Sequence, residues 1–170
     1  MKNRIDKLGG SQGFTLMELL VVVGIILLLG GIMFPAFSSA RQFARKARAK
    51  TDVKQLDIAL KGVLADYRSW TFARSKGNMP DLSNGKVVDK TMMEYLAWNN
   101  PKRVPYMEFD GGATNINGQF ADPWKNGYHV ATGDGEVSTP AGGKVYRDVI
   151  AWSFGPDGKE ATGDDVKSWE

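Results

Sequence analysis

The chain has no cysteine and a single histidine, His129. Disulfides, thiolate metal sites and a cysteine nucleophile are therefore excluded. An exported domain built without disulfides must draw its stability from a core, a bound ion or assembly into an oligomer. No Ser/His/Asp set, histidine-rich metal motif or Gly-rich phosphate loop accompanies the histidine, so an enzyme reading has little to stand on. Acidic residues are scarce in one part and basic residues in another. Arg41 to Lys76 holds ten Lys/Arg against three Asp/Glu, whereas Met107 to Glu170 holds five against eleven. The two parts face different surroundings or partners. With 170 residues there is room for about one ordinary domain.

What the chain has in abundance is one long apolar run, "GFTLMELLVVVGIILLLGGIMF", Gly13 to Phe34. A helix over residues 14–34 would span about 31 Å at 1.5 Å per residue, the thickness of a bilayer's hydrocarbon core. A cleaved secretory signal would have a shorter apolar region, roughly 7 to 15 residues. Lys2, Arg4 and Lys7 precede the run, while Arg41, Arg45, Lys46, Arg48 and Lys50 follow it. Counting those charges alone places the large domain in the cytoplasm. Inside the run stands one carboxylate, Glu18. An ionised acid near the centre of a span costs about 2.5 to 3.5 kcal/mol, less towards an interface, so a specific partner is expected for it.

"GFTLMELL" resembles the processing site of type IV pilins and of the pseudopilins of type II secretion. The resemblance implies that residues 1–13 are a leader, that a membrane peptidase cuts between Gly13 and Phe14, and that Phe14 is then N-methylated. Glu18 becomes the fifth residue of the mature chain, paired to the N-terminal amine of a neighbouring subunit. That would supply the partner a buried charge requires. The same resemblance puts the leader in the cytoplasm and the bulk outside, against the charge count: a single-pass protein of the bacterial inner membrane that later joins a periplasmic filament. Its implied partners are further copies of itself, minor pseudopilins, the prepilin peptidase, an inner-membrane assembly platform and membrane lipid, with no nucleic acid expected.

Beyond the run, Pro35 is expected to kink or loosen the helix. Val53, Leu56, Leu60, Val63, Tyr67 and Trp70 recur at spacings of three and four, the stripe of an amphipathic helix, so residues 35–76 continue the helix into a globular domain. The basic residues from Arg41 to Lys50 read as a solvated face, able also to meet lipid phosphates or acidic groups of another subunit. "SKGNMPDLSNGK" ends the helix. Within the variable region 77–121, Thr91 and Glu94 form a capping-box pattern that predicts a short helix, and the remainder reads as loop with a short strand.

Residues 122–170 carry strand signals. "DPWKNGYHVAT" gives turns at Pro123 and Asn126-Gly127 and a strand over 128–132. "KVYRDVIAWSF" alternates as a single strand, with Val145, Arg147, Val149 and Ala151 on one side and Tyr146, Asp148, Ile150 and Trp152 on the other. The side that meets the helix is left open. An antiparallel sheet packed on the amphipathic helix makes the fold α+β, the pilin-like architecture that the resemblance implies.

In the tail, "FGPDGKEATGDDVKSW", Asp157, Asp164 and Asp165 lie among glycines. Clustered hard oxygens suit calcium, but Asp-Gly turns are common without metal and the spacing is not that of an EF-hand. Taken together, "DPWKNGYHV" and "WSFGPDGKEATGDDVKSW" are similar to the end of the major pseudopilin of type II secretion, where an Asp-rich loop binds calcium. By that resemblance Asp157, Asp164 and Asp165 are the calcium ligands. Lys125 stands where the pattern usually has glycine, and residues 79–120 do not match. The implied function is that of a structural subunit, the major pseudopilin. A type IV pilus pilin serving adhesion, motility or DNA uptake is the alternative, and a membrane-anchored binding module a third reading. The absent cysteines and the Asp-rich loop favour the pseudopilin.

Overall fold

The computed structural model describes residues 13–170, apart from the side chains of 33–36. Residues 1–12 of the expected leader lie outside the described residues. The chain forms two units, one ending at Arg41 and one running from Gln42 to Glu170.

In the first unit the helix α1, Leu16–Tyr67, begins. Every described side chain from residue 13 to residue 32 is exposed, including Leu20 at 73% and Leu27 at 69%. The mean hydropathy of α1's most apolar window is 2.7, long and apolar enough to cross a membrane. An apolar surface with no protein against it on any side has no stable place in water. Pro35 does not end the helix.

In the second unit the stripe of α1 enters a core. Ala49, Val53, Leu56, Leu60 and Val63 are fully buried or nearly so, while Lys54, Lys61 and Asp66 remain exposed. Burial of each large aliphatic side chain contributes about 1.5–3 kcal/mol. The helix does not continue to residue 76 as expected. Arg68 adopts a left-handed φ of 63°, and Ser69 caps a new helix, α2 (Trp70–Gly77), by accepting the amide of Phe72 at 3.2 Å. The break turns the last member of the stripe inward: Trp70 is 2% exposed, and its indole N–H donates to the Gly133 carbonyl at 2.9 Å.

After α2 come a short strand β1 (Lys86–Val87) and the helix α3 (Lys90–Ala97). The expected helix exists, but its cap is Asp89, which accepts the Met92 amide at 2.9 Å, and not Thr91. Four further elements are β2 (His129–Thr132), β3 (Val137–Ser138), β4 (Lys144–Val145) and β5 (Val149–Ser153), with β6 (Val166–Lys167) last. The single strand expected over "KVYRDVIAWSF" is thus two strands, interrupted at residues 146–148. One half pairs with β3 in a hairpin, while the other joins the main sheet. That sheet has the order β1-β2-β5-β6, and every pairing in it is antiparallel.

The open question of facing is settled by β5, all five residues of which are buried. Val149 and Ala151 join Val130 and Val166 in the core with α1. Ile150 and Trp152 pack on the other face with Ala131 and Val137, where the β3–β4 hairpin stands. Tyr128 ties helix to sheet by donating to Asp52 Oδ2 at 2.7 Å. Burial pushes the Asp52 carboxyl above the usual carboxylate range, with the Tyr128 bond opposing, and pushes the Tyr128 phenol up as well.

Candidate functional site

Gly13, Phe14 and Thr15 precede the first turn of α1 and are non-helical and exposed. Nothing stands within 4 Å of where a Gly13 Cβ would lie, and Phe14 is 78% exposed. The bond between Gly13 and Phe14 is therefore uncovered by the described chain.

Glu18 lies one turn on. Its Oε2 accepts the Thr15 amide at 2.8 Å and the Thr15 hydroxyl at 2.7 Å, and the Thr15 Oγ1 accepts the Glu18 amide at 3.2 Å. This is a capping box, in which residue and helix end satisfy each other. The carboxylate also sits where the positive end of the helix dipole favours it. Sequence reasoning looked for Glu18's partner elsewhere, although the signal, Thr followed three residues later by Glu, is present in "FTLMEL".

The flank beyond the apolar run carries few fixed ion pairs. Arg41 lies over the Phe37 ring, 5.4 Å from its centroid, and Arg48 approaches Asp52 at 3.9 Å. A cationic charge 62% exposed adds little to stability through such a pair.

At the other end of the chain, Asp157, Asp164 and Asp165 are brought together around one hydroxyl. Thr162 Oγ1 stands 2.6 Å from Asp164 Oδ1, 3.2 Å from Asp165 Oδ1 and 3.5 Å from Asp157 Oδ1. A hydroxyl has one proton to donate, so two of the three carboxylates always face it without receiving it. Asp164 also accepts the Asp157 amide at 3.2 Å, and Asp157 accepts the Lys159 amide at 2.8 Å. The hydrogen bond from Thr162 holds the Asp164 carboxyl below its ordinary range, whereas burial pushes Asp165 above it. Three carboxylates, a hydroxyl and neighbouring carbonyls are a hard-oxygen set of the kind calcium takes. As arranged here, with Thr162 between them, no three acidic or histidine side chains among the described residues form a metal cluster.

The loop is anchored by the turn expected at Pro123 and Asn126-Gly127, through a residue that sequence reasoning left without a role, Asp122. Asp122, 2% exposed, accepts the amides of Trp124 at 2.8 Å and Asn126 at 2.9 Å and the Ser153 hydroxyl at 2.6 Å. Asn126 Nδ2 then donates to the Gly155 carbonyl at 2.7 Å, while the Gly155 amide donates to Ser153 Oγ at 3.1 Å. Gly155 is held at both ends of its residue with φ of 69°, and a Cβ there would lie 2.5 Å from the Asp164 carbonyl oxygen. Asp122 thus fixes the start of the loop in space although it lies 31 residues before Ser153 in the chain. Lys125 has φ of 80°, a left-handed backbone that favours glycine.

His129, the one histidine of the chain, stacks with Phe154 and Trp152, and among the described residues no nucleophile is hydrogen-bonded to it.

No protein-family model and no solved structure matches the chain. It is similar to the type II secretion system core protein G of Escherichia coli (strain K12), 27% identical over 159 residues that cover 94% of this chain and 91% of that protein. The protein of the same name from Dickeya chrysanthemi is 28% identical over 94% of this chain and 86% of its own length. The type IV major pilin protein PilA of Myxococcus xanthus (strain DK1622) is 35% identical over 75 residues, 44% of this chain and 34% of that protein.

Proposed function

We propose that the chain is a major pseudopilin of the type II secretion kind: a structural subunit, not an enzyme, that assembles into a periplasmic filament serving protein secretion. The observation that carries this reading is the similarity to core protein G over 94% of the chain. The apolar part of α1 holds the subunit in the inner membrane as a single pass, with the leader cytoplasmic and Gln42–Glu170 in the periplasm. The prepilin peptidase cuts the uncovered bond between Gly13 and Phe14 and methylates the new amine.

Glu18 then has two possible partners. In storage, Thr15 satisfies it with neutral donors of the same helix end. In the filament the N-terminal amine of Phe14 of a neighbouring copy is a charged donor, and such bonds are about twice as strong as neutral ones. Exchange of partner therefore favours assembly. Minor pseudopilins and an inner-membrane assembly platform are the further partners, lipid surrounds the stored subunit, and no role is assigned to nucleic acid.

Calcium is proposed as a structural ion held by Asp157, Asp164 and Asp165. When bound it supplies two positive charges to a loop of converging carboxylates. The chain's own part is to hold the loop's start, through Asp122, Asn126 and Ser153, and to bring the three acids together around Thr162.

The second reading, a pilus pilin, is supported by the match to PilA, which is confined to 75 residues. One experiment separates them. The chain is expressed in a bacterium lacking its own core protein G, and secretion and fibres are scored together. Restored secretion with short periplasmic fibres supports the pseudopilin. Surface fibres without secretion support the pilin, and a processed, membrane-inserted chain that yields neither overturns both.

A further inference from the structure

Between Glu18 and Arg41 the sequence holds no charged residue. Both stand on the one unbroken helix α1, about 35 Å apart along it at 1.5 Å per residue. A bilayer's hydrocarbon core is about 30 Å thick, and about 40–45 Å with its headgroups. With Glu18 at one edge of the core, Arg41 therefore falls about 5 Å beyond the other, at the depth of the lipid headgroups. Arg45 follows one turn on. Side chains of a helix lean towards its N-terminus, so both arginines reach back towards the membrane.

Phe37, Arg41 and Arg45 succeed one another at four-residue spacing and share one face of α1. Phe37 is 66% exposed, and the Arg41 guanidinium lies over its ring, 5.4 Å from the centroid. The ring keeps to the apolar layer and orients the charge above it. Arg41 is exposed and Arg45 half-buried, and neither forms an ion pair with a described carboxylate. Their neighbours differ in this respect. Arg48 approaches Asp52 at 3.9 Å, and Lys46 is near enough to Asp164 to help lower its carboxyl.

Two guanidinium groups one turn apart, without counter-ions, suit an oxyanion that takes paired hydrogen bonds, and phosphate is such a group. Lipid phosphates surround a lone subunit at this depth, whereas an acidic group of a second copy is present only once that copy has arrived. A zwitterionic headgroup brings its own cation into the site, so a headgroup with net negative charge is preferred. We infer that Phe37, Arg41 and Arg45 form a binding site for the headgroup of an anionic phospholipid, in the leaflet where α1 leaves the bilayer. The bound lipid sets the depth of the helix, and a subunit leaving the membrane must first release it. The site requires only that α1 spans a bilayer, so it stands or falls apart from the secretion reading.

The arginine side chains are their own reporters. The full chain, labelled with ¹⁵N-arginine, is held in dodecyl maltoside micelles and titrated with phosphatidylglycerol or with phosphatidylcholine. The Nε resonances of Arg41 and Arg45 are assigned from the variants Arg41→Gln and Arg45→Gln. The expected result is a saturable shift of both resonances with phosphatidylglycerol, at an affinity about fivefold or more above that for phosphatidylcholine and weakened in about 0.5 M salt. Arg147, which donates to the Ser168 carbonyl in the sheet domain, should not respond. Arg41→Gln places a good helix former at an exposed position, and should weaken the affinity read at Arg45 about fivefold through the loss of one cation. The site is overturned by no saturable shift, by equal affinity for the two lipids, or by an Arg45 affinity unchanged in Arg41→Gln. Shifts of both resonances that follow protein concentration without lipid would assign the arginines to acidic groups of a second copy, and would overturn it too.

Discussion

Glu18 accepts both the amide and the hydroxyl of Thr15, at 2.8 and 2.7 Å, so the one acid of the apolar run is satisfied by its own helix end. This makes a distinction testable. A capping box accepts glutamine nearly as well as glutamate, whereas pairing with an ammonium group needs the charge. Glu18→Gln should insert and be cleaved like the parent chain, yet form no filaments in electron micrographs, just as Glu18→Ala should not. Normal fibres from the glutamine variant would reduce the acid to a helix cap and end the pairing role.

Around Thr162 three carboxylates compete for one proton, and a cation bound only by the folded chain would relieve that repulsion. At a free calcium concentration 100 times the dissociation constant, such binding adds about 2.7 kcal/mol, roughly 10 °C in melting temperature for a domain of this size. Chelation should remove that increment, and Asp164→Ala should lower the melting temperature in calcium while showing no further response to chelator. Identical melting curves with and without chelator would remove the ion from this loop.

How much of this was legible from the residues depends on how local each signal is. The stripe Val53, Leu56, Leu60, Val63 was legible because helical periodicity repeats over several turns and every member is buried. The break at Arg68 was not, since one residue at φ 63° leaves the spacing of the stripe intact. Two Thr-x-x-Glu patterns occur, and only the one at Thr15 is a capping box. At Thr91 the aspartate two positions earlier captures the helix end instead. The pattern alone does not say where a helix begins. Alternation on β5 could not tell inside from outside because the β3–β4 hairpin makes both faces interior. The acids of the tail could be picked out as residue types on a glycine-rich loop, whereas Thr162 between them and the Asp122 anchor required the chain to be folded.

Lys125 provides a test of backbone strain at the turn that Asp122 organises. Its φ of 80° costs a residue with a Cβ about 1–2 kcal/mol, while glycine's freedom in the unfolded chain costs about 0.5–1 kcal/mol. Lys125→Gly should therefore stabilise the protein by roughly 0.5–1 kcal/mol, a rise of a few degrees in thermal melts, whereas Lys125→Ala should give no such gain because it keeps the strained Cβ. A glycine variant that melts at or below the parent's temperature would show that the lysine side chain, rather than the backbone, matters at this turn.

His129 should make stability depend on pH in a known direction. Burial among Trp152 and Phe154 lowers its pKa below the ordinary 6.5. Below pH 6.5 the unfolded chain takes up a proton that the folded chain resists, so the unfolded state binds more protons and stability falls as pH falls. The contribution is fully present above pH 6.5 and is lost as the pH drops towards the folded value. Asp52 and Asp165, whose carboxyls are raised by burial, act in the opposite sense, gaining stability as they protonate. A comparison with His129→Phe separates these effects, since the variant keeps both acids and an aromatic ring in the stack. Melting temperatures measured from about pH 7 down to about pH 5 should fall more steeply for the parent chain than for the variant. Parallel curves would mean that the imidazole is as free to take a proton when folded as when unfolded, and the burial of its Nδ1 would then have no energetic consequence.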